Sequence, residues 1–312
     1  MSSDLWNPFS REQVEAYMGR INIPAEERRY SVGSLSPKEA LEYLALLQRH
    51  HLVSVPFENL DLHYSQHHSI SLNKLTLFRK IVQTPGRGGY CLENNGIFGT
   101  LLRSLGFQAY YVAGRVNAGV DYHAWGHLLN LVVIGGDKFL VDVGFGPNNP
   151  VKPLKLDKSS LITESIAPAS LRLSYKNIQA NTQADQRLWV LEHRINSDSE
   201  FEELYCFTET EYLPRDLDAM NWHVSTYPKS WFTQQVICSR MTLDKDRIIG
   251  VVILQRDIKW RKDGRISDRK QFHCEEDRIK ALKEFFGIDL DDAEREGIRG
   301  MVSEIKEKGD SL

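Results

Sequence analysis

The chain has few cysteines for its 312 residues, and none of them is spaced from another as in a CxxC pair. This spacing excludes the common structural zinc motifs, and so few thiols favour a reducing compartment without disulfides. The chain also lacks a strong charge of one sign, because its formal net charge is -3. Nucleic acid is therefore not an expected partner. The four cysteines are Cys91, Cys206, Cys238 and Cys274.

Long hydrophobic runs are missing too. The longest run, residues 128–134, has the length of a strand, whereas a helix that spans a bilayer needs about 20 apolar residues. The first nine residues lack the basic and apolar regions of a signal peptide. These features predict a cytoplasmic protein with no membrane partner.

What the sequence does have is a cysteine between a glycine turn and a helix. Gly88, Gly89 and Tyr90 precede Cys91, and apolar residues at helical spacing follow it, namely Ile97, Phe98, Leu101, Leu102 and Leu105. Two glycines permit a sharp turn that leaves the sulfur uncrowded. Because the first turn of a helix favours an anion, we predict that Cys91 is a thiolate nucleophile rather than a buried structural cysteine.

A thiolate nucleophile needs a base, and a later β-hairpin offers one. Residues 127–134 and 139–146 have strand patterns, with Gly135 and Gly136 between them. A two-residue loop places His127 and Asp142 on one face as diagonal neighbours, roughly 7 to 8 Å apart at the backbone. A three-residue loop would place them on opposite faces. His123 is the competing base, but four residues of strand, about 13 Å, separate it from His127.

These residues resemble the arylamine N-acetyltransferases, cytosolic enzymes that transfer an acyl group from coenzyme A to aromatic amines and hydrazines through a Cys, His, Asp triad. The resemblance implies that Cys91 is the acyl acceptor, His127 the base and Asp142 the orienting carboxylate. It thus selects His127 over His123 independently of the hairpin. Four segments, spanning most of the chain, match in order: VPFENL at 55–60, RGGYC at 87–91, His127 with VDVGFG at 141–146, and MN at 220–221 with YPKSWF at 227–232. The first three are specific and the fourth is looser.

Further residues are predicted to support the triad or to bind substrate. Arg87 is expected to pair with Glu58 or Glu93 and to brace the loop that carries Cys91. Phe145 resembles the family's position beside the acyl and amine pocket. The predicted supporting or substrate-binding residues are Phe57, Glu58, Arg87, Asn95 and Phe145.

Coenzyme A contacts are predicted at Gly146, His223 and Lys229, with Lys229 meeting a phosphate. Arg115 and His123 are candidates for favouring a malonyl donor. The oxyanion of the reaction needs preorganised donors, and we expect backbone N–H groups, including that of Cys91, to supply them.

The order of patterns along the chain predicts an α+β fold, with helices first, then strands, then a mixed segment. Residues 147–169 are expected to form a long connection, and residues 204–208 and 233–242 are among the segments expected to form strands. The resemblance implies the same layout, a cysteine-protease-like core with the active site at the junction of its parts. The expected parts are a helical subdomain at 1–106 that carries the nucleophile, a β subdomain at 107–215 with an antiparallel, barrel-like sheet, and an α/β lid at 216–312.

The function implied by the resemblance is acyl-CoA-dependent arylamine N-acyl transfer by a ping-pong, acyl-cysteine mechanism. The donor would be acetyl-CoA or a related thioester such as malonyl-CoA or propionyl-CoA, and the acceptor an arylamine or arylhydrazine. We expect no metal, no tightly bound cofactor, and a monomer or weak homodimer. Two alternatives stay open: a cysteine hydrolase or transglutaminase-like enzyme with the same triad, and a noncatalytic binding protein that keeps the fold.

Overall fold

The N-terminal part of the chain is helical, as its patterns predict. The computed structural model describes residues 7–119 and 121–306, so most of the segment tested for a signal peptide, residues 1–6, lies outside the described residues. Helix α2 begins with a capping box between Ser36 and Glu39, and Pro37 occupies its first turn. The helices are α1 (Arg11–Arg20), α2 (Pro37–Ser54), α3 (Lys74–Leu77, continued by a π-helical turn at Phe78–Gln83) and α4 (Cys91–Ser104).

The central part is an eight-stranded antiparallel sheet that curls into a nearly closed barrel. Its strand order is β5-β4-β3-β2-β9-β8-β7-β6. The short strands β5 and β6 lie within residues 147–169, so the predicted connection joins the sheet twice. The strands are β2 (Gln108–Val116), β3 (His127–Ile134), β4 (Asp137–Val141), β5 (Leu154–Lys155), β6 (Thr163–Glu164), β7 (Ser170–Lys176), β8 (Leu188–Arg194) and β9 (Glu202–Phe207).

A second antiparallel sheet covers the C-terminal part of the chain. Its order is β1-β10-β11-β12-β13, and its edge strand β1 comes from the helical N-terminal part, where Phe57 pairs with Ser239. The second sheet therefore takes one strand from before the predicted boundary at 106 and four strands from after the predicted boundary at 215. The division into domains at these two positions stays a prediction. The strands are β1 (Phe57–Glu58), β10 (Cys238–Asp244), β11 (Arg247–Leu254), β12 (Asp257–Lys262) and β13 (Arg265–Gln271).

Further helices follow the central sheet in the chain, and Ile279 of α7 packs in one cluster with Cys238, Leu254 and Ile258 of the second sheet. Helix α6 occupies the start of a segment predicted as strand, residues 233–242, so the strand begins only at Cys238. No helix among the described residues is long and apolar enough to cross a membrane. The helices are α5 (Pro214–Thr226), α6 (Trp231–Gln234), α7 (Glu275–Ala281, continued by a π-helical turn at Leu282–Phe286) and α8 (Asp292–Gly297).

The main core lies between the N-terminal helices and one face of the central sheet. Leu101 of α4 packs in the same cluster as Tyr111 and Ala113 of β2 and Val132 of β3. The other face of the sheet has its own apolar cluster, which includes Leu129 and Tyr205. Because α4 packs on β2 and β3, its first residue lies beside the start of β3. Cys91 and His127, the predicted nucleophile and base, therefore meet at this junction.

Candidate active site

Cys91 is the first residue of α4, as predicted, and its side chain is 4% exposed. The carboxylate of Glu93 accepts a hydrogen bond from the backbone N–H of Tyr90 at 3.0 Å, which closes a capping interaction around Cys91. The thiol itself donates to the backbone oxygen of Gly126 at 3.6 Å. Gly126 directly precedes His127, so this contact holds the sulfur beside the start of β3.

The two glycines before Cys91 are required by lack of space rather than by left-handed backbone. A Cβ at Gly88 would lie 1.9 Å from the carbonyl oxygen of Pro56, and a Cβ at Gly89 would lie 2.6 Å from the Cβ of Glu93. Neither glycine has a positive φ. The expectation that only glycine could adopt the backbone angles of this turn is therefore corrected. The two glycines instead let residues 87–90, called here the nucleophile loop, lie close to Pro56 and to Glu93 of α4.

The hairpin that carries His127 and Asp142 has the predicted two-residue loop. Ile134 pairs with Asp137, and Gly135 and Gly136 both have positive φ, as this type of turn requires. Asn130 pairs with Val141, so Leu129 stands opposite Asp142, and His127 lies diagonal to it on the same face. The result is a contact of 2.8 Å between His127 Nε2 and Asp142 Oδ2.

His123 does not join this arrangement. It is exposed in the loop before β3, where its backbone N–H donates to Val116 O at 2.9 Å. The structure therefore brings His127, and not the competing histidine, to the carboxylate.

Asp142 is fully buried, and three donors compensate its charge. Asn95 Nδ2 and the backbone N–H of Gly144 both donate to Oδ1 at 2.8 Å, and Tyr205 Oη donates to Oδ2 at 3.0 Å. The backbone oxygen of Asp142 also accepts from Gln48 Nε2 at 3.1 Å. Asn95 thus binds Asp142, and its supporting role stays a prediction, whereas the contacts of Tyr205 and Gln48 were not predicted.

Sequence offers only a weak signal for Tyr205. It lies in a predicted strand, residues 204–208, but its position opposite Val116 depends on the pairing of β9 with β2, about ninety residues earlier in the chain. Gln48 is a buried polar residue on an apolar helix face, which marks a candidate hydrogen bond without naming its partner.

The environment of His127 favours the imidazolium form. Burial opposes a charge on the ring, but Asp142 and a hydrogen bond with Cys91 outweigh it and raise the pKa of His127 to about 10. Since Nε2 binds Asp142, Nδ1 is the ring nitrogen left for a second partner.

Two aromatic rings, those of Phe145 and Tyr205, pack against the ring of His127. The ring of Phe145 stands edge-on to His127 at 5.2 Å between centroids, and to Tyr205 at 4.8 Å. Gly144 lets this segment close on the nucleophile, because a Cβ there would lie 2.8 Å from Cys91 Cα. Phe145 thus lies beside His127, and its position beside the acyl and amine pocket stays a prediction.

Phe57 and Gly146 pack against each other at the edge of the site. A Cβ at Gly146 would lie 3.2 Å from the ring of Phe57, and the residue has a φ of +76°. The rings of Phe57 and Phe232 also pack together, with 6.0 Å between their centroids. The ring of Phe232 stands edge-on to that of Tyr90, with 5.5 Å between centroids. The segment after α5 therefore closes over the nucleophile loop.

Arg87 pairs with Glu58, one of its two predicted partners, at 3.1 Å, and also binds Asp61. The other predicted partner, Glu93, binds Lys80 instead at 2.8 Å, and Lys80 contacts Asp61 at 2.7 Å. Burial raises the pKa of Glu93 to about 7 even though Lys80 opposes the shift. Burial alone would raise the pKa of Asp61, but Lys80 and Arg87 hold it at about 2.

The predicted coenzyme contacts His223 and Lys229 lie on the surface, on α5 and the turn that follows it. His223 stacks on Tyr227 at 5.2 Å between ring centroids. Helix α5 itself touches the nucleophile region, because the hydroxyl of Tyr90 donates to the side-chain oxygen of Asn221. Arg115 stacks over the ring of Trp125 at 4.3 Å. Within the described part of the chain, no group of three His, Cys, Asp or Glu side chains could hold a metal ion.

A buried thiol at a helix N-terminus, an imidazole and a carboxylate in this order define the class of thiol-dependent acyl-transfer sites. Residues 40–295 match the family model described as N-acetyltransferase. N-malonyltransferase FDB2 of Fusarium pseudograminearum is 36% identical in an alignment that covers 95% of this chain and 95% of its own length. Arylamine N-acetyltransferase 2 of Rattus norvegicus is 28% identical, over 89% of this chain and 94% of its own length.

Solved structures show the same fold. The structure of Mycobacterium marinum arylamine N-acetyltransferase in complex with CoA has a TM-score of 0.75 and 26% identity, and the match covers 94% of this chain and 99% of that chain. The chain belongs to the arylamine N-acetyltransferase family. It is an acyl-CoA-dependent N-acyltransferase.

Proposed function

We propose that Cys91 accepts the acyl group, that His127 carries the proton and that Asp142 orients the imidazole. The observation that supports this most strongly is the contact of 2.8 Å between His127 Nε2 and Asp142 Oδ2, which leaves Nδ1 for the thiol. Both partners are buried, at 2% and 0% exposure, so water competes little for the contact.

In the first half-reaction, the Cys91 thiolate, whose proton is held by the His127 imidazolium, attacks the thioester carbonyl of the acyl-CoA. The bond between the carbonyl carbon and the CoA sulfur breaks, and CoA leaves with a proton from the imidazolium. One thioester replaces another, so the acyl-cysteine forms at little cost. The carbonyl oxygen carries negative charge in this step, and the backbone N–H of Cys91, in the first turn of α4, is the proposed donor.

In the second half-reaction, an amine attacks the acyl-cysteine. His127 takes a proton from the attacking nitrogen, an amide bond forms, and the carbon–sulfur bond to Cys91 breaks. The thiolate and imidazolium are then restored. Because CoA leaves before the amine enters, the kinetics are ping-pong.

We propose malonyl-CoA and acetyl-CoA as the donors to compare first, and an arylamine or arylhydrazine as the acceptor. N-malonyltransferase relatives are 36% and 37% identical to this chain, and the rat arylamine N-acetyltransferase is 28% identical. The higher identity supports malonyl-CoA as the preferred donor. Phe57, Glu58, Arg87, Asn95 and Phe145 are proposed to support the triad or bind substrate, and Gly146, His223 and Lys229 to contact coenzyme A. A cytoplasmic location, a monomer or weak homodimer and the domains 1–106, 107–215 and 216–312 belong to the same proposal.

The test is intact mass spectrometry of the protein mixed with malonyl-CoA or acetyl-CoA, without amine. We expect an acyl adduct on the wild type that Cys91→Ala abolishes and that an arylamine discharges as N-acylated product. Cys274→Ala is the matched control, because Cys274 is the most exposed of the four thiols and would collect any nonspecific adduct.

Two other outcomes are informative. An adduct that water discharges, with no N-acylated product, would support the cysteine hydrolase. If neither thioester leaves an adduct on the wild type, the role of Cys91 as acyl acceptor is wrong.

A further inference from the structure

Arg261 is a half-buried cation on β12, and within residues 7–119 and 121–306 it makes no ion pair with a carboxylate. Its Nη2 donates to the backbone oxygen of Pro147, and no other hydrogen bond engages the rest of the guanidinium in the described residues. Burial lowers the pKa of Arg261, and no neighbouring carboxylate offsets that shift. A desolvated charge of this kind is costly unless an anion pairs with it.

Several buried arginines of this protein are compensated. Arg87 binds Glu58, Arg278 binds Glu275 at 2.6 Å, and Arg20 donates to three backbone carbonyls. Arg240 of β10 resembles Arg261 instead, because it is half-buried, donates to the backbone oxygen of Phe285 at 2.9 Å and makes no ion pair within the described residues. Arg240 and Arg261 therefore mark a region of the second sheet where an anion from outside the chain would be stabilised, and Arg261 is the one that contacts Pro147.

The place is the side of the second sheet that faces the active-site loop. Along β12, residues 257, 259 and 261 share one face by alternation. Arg261 pairs with Val251, which lines the same cleft as Phe57 and Gly146. Pro147, which Arg261 contacts, is two residues after Phe145, whose ring stands against His127. Arg261 is therefore tied directly to the loop that encloses the base.

The charges around Arg261 are positive on balance. Lys259 lies on the same face of β12, two residues away, and makes no ion pair within the described part of the chain. The charge of Arg261 reaches His193 of the central sheet, where it adds to burial in lowering the pKa of that histidine while Glu202 opposes the shift. The carboxylate on the face of β12 that carries Arg261, Asp257, is already bound to Arg269. An anion that enters here meets attraction from Arg261 and Lys259 and repulsion from Glu202 on the central sheet.

We propose that Arg261, with Lys259 beside it, forms a subsite for an oxyanion carried by the acyl-CoA donor. Two oxyanions of the donor fit this chemistry: the free carboxylate of a malonyl group and a phosphate of coenzyme A. A guanidinium can bind either with two parallel hydrogen bonds, and the bond to Pro147 fixes the orientation of its fork. The inference rests on the proposed acyl transfer to Cys91, and it assigns part of the donor recognition to the second sheet.

The test compares three donors with wild type, Arg261→Met and Arg261→Lys. Malonyl-CoA carries both anions, acetyl-CoA carries the phosphates alone, and the acetyl thioester of N-acetylcysteamine carries neither. If the subsite binds the carboxylate, Arg261→Met raises KM for malonyl-CoA by about tenfold or more, as expected for a charged hydrogen bond, and leaves acetyl-CoA unchanged. If it binds a phosphate, KM rises for both CoA esters and not for the N-acetylcysteamine thioester. In either case Arg261→Lys recovers much of the loss, because it keeps the charge.

Lys262→Met is the matched control, because it removes an exposed cation from the next position of the same strand, on the opposite face. Equal losses with all three donors would mean that Arg261 acts only on the structure of the loop, and the subsite would be wrong. Unchanged KM values with every donor would also overturn it. Should Arg261→Met fail to fold, Lys259→Met tests the same subsite with a half-exposed side chain. The Cys91 adduct of the wild type is measured separately, so failure of the subsite and failure of the acyl-transfer proposal are distinguishable.

Discussion

At the scale of single residues, the site depends on how the charge of Asp142 is held. A fully buried carboxylate is costly unless its lone pairs are used, and here Asn95, the N–H of Gly144, Tyr205 and His127 use them. A carboxylate with both oxygens engaged has one orientation. That orientation fixes the imidazole of His127 in turn, because its Nε2 binds Oδ2 of Asp142, and Nδ1 is the nitrogen proposed to serve Cys91.

Tyr205→Phe should lower kcat/KM by about tenfold, because it removes one hydrogen bond to the carboxylate of Asp142, worth about 1.5 to 3 kcal/mol. The protein should stay folded, because the phenylalanine ring keeps the contacts with His127 and Phe145. The measurement is steady-state kinetics together with a thermal unfolding curve. Tyr175→Phe is the matched control, since Tyr175 is 38% exposed and its ring contact with Trp189 survives the change. Equal kinetics of Tyr205→Phe and wild type would show that the remaining donors suffice to hold Asp142.

At this scale the sequence predicts local geometry and misses distant partners. His127 and Asp142 were predictable because a two-residue loop and the alternation of side chains relate residues fifteen positions apart. Tyr205 was not, because it reaches Asp142 only through the pairing of β9 with β2. The roles of Gly88 and Gly89 were misjudged as well. A Cβ at Gly88 would collide with Pro56, about thirty residues earlier, and a Cβ at Gly89 would collide with the side chain of Glu93.

At the scale of elements, α2 carries polar groups into the helical core. Its buried face includes His51, whose Nδ1 lies 3.1 Å from Tyr17 Oη of α1 and whose ring stands edge-on to Phe98 of α4 at 5.1 Å. Burial, with a smaller effect of Arg20, lowers the pKa of His51 to about 3. The histidine is therefore neutral in the folded protein, and it joins three helices at one point.

This burial predicts a loss of stability in weak acid. The folded pKa of His51 lies below the unfolded value of about 6.5, so the unfolded state binds more protons between these values. The contribution of neutral, buried His51 to the free energy of unfolding is therefore complete above pH 6.5. It declines as the pH falls from 6.5 toward 3, by about 1.4 kcal/mol per pH unit for one histidine. Urea unfolding of wild type and His51→Gln at pH 7, 6 and 5 measures the effect. We expect a shallower pH dependence in His51→Gln.

His67→Gln is the control for this experiment, because His67 is exposed. It should keep the wild-type pH dependence. If His51→Gln and wild type have parallel curves from pH 7 to 5, His51 is protonated without cost and its burial does not destabilise the charged form.

Elements with a clear period were predictable, and elements without one were not. The apolar strands β3 and β4 and the helix α4 follow their patterns. Strand β13 does not, because all seven of its residues are exposed and no face of it is apolar. The segment 233–242 was predicted to be strand throughout, but its first two residues belong to helix α6 and the strand begins only at Cys238.

At the scale of the whole molecule, a buried cluster of charges joins parts that are far apart in sequence. Arg87 of the nucleophile loop binds Glu58 of β1, Asp61 after it, and Glu294 of α8 at 3.1 Å. Lys80, after α3, bridges Asp61 and Glu93. The loop that carries Cys91 is therefore fastened at once to the helical part, to the edge of the second sheet and to the C-terminal helix. No local pattern predicts such a convergence, although the pairing of Arg87 with Glu58 was expected.

Arg87→Met should be strongly destabilising, by about 3 to 5 kcal/mol, because it leaves buried carboxylates without their cation. Arg87→Lys keeps the charge but loses the fork that binds several carboxylates at once, so we expect an intermediate effect. Urea unfolding at pH 7 gives the free energies of unfolding, and Arg79→Met, which removes an exposed arginine nearby, is the control. Because the cluster fastens the nucleophile loop, the acyl adduct on Cys91 should form more slowly in Arg87→Lys even at temperatures where that variant is folded. A stable Arg87→Met with normal acylation would mean that the neighbouring carboxylates are neutralised by protons, and that Lys80 alone holds the loop in place.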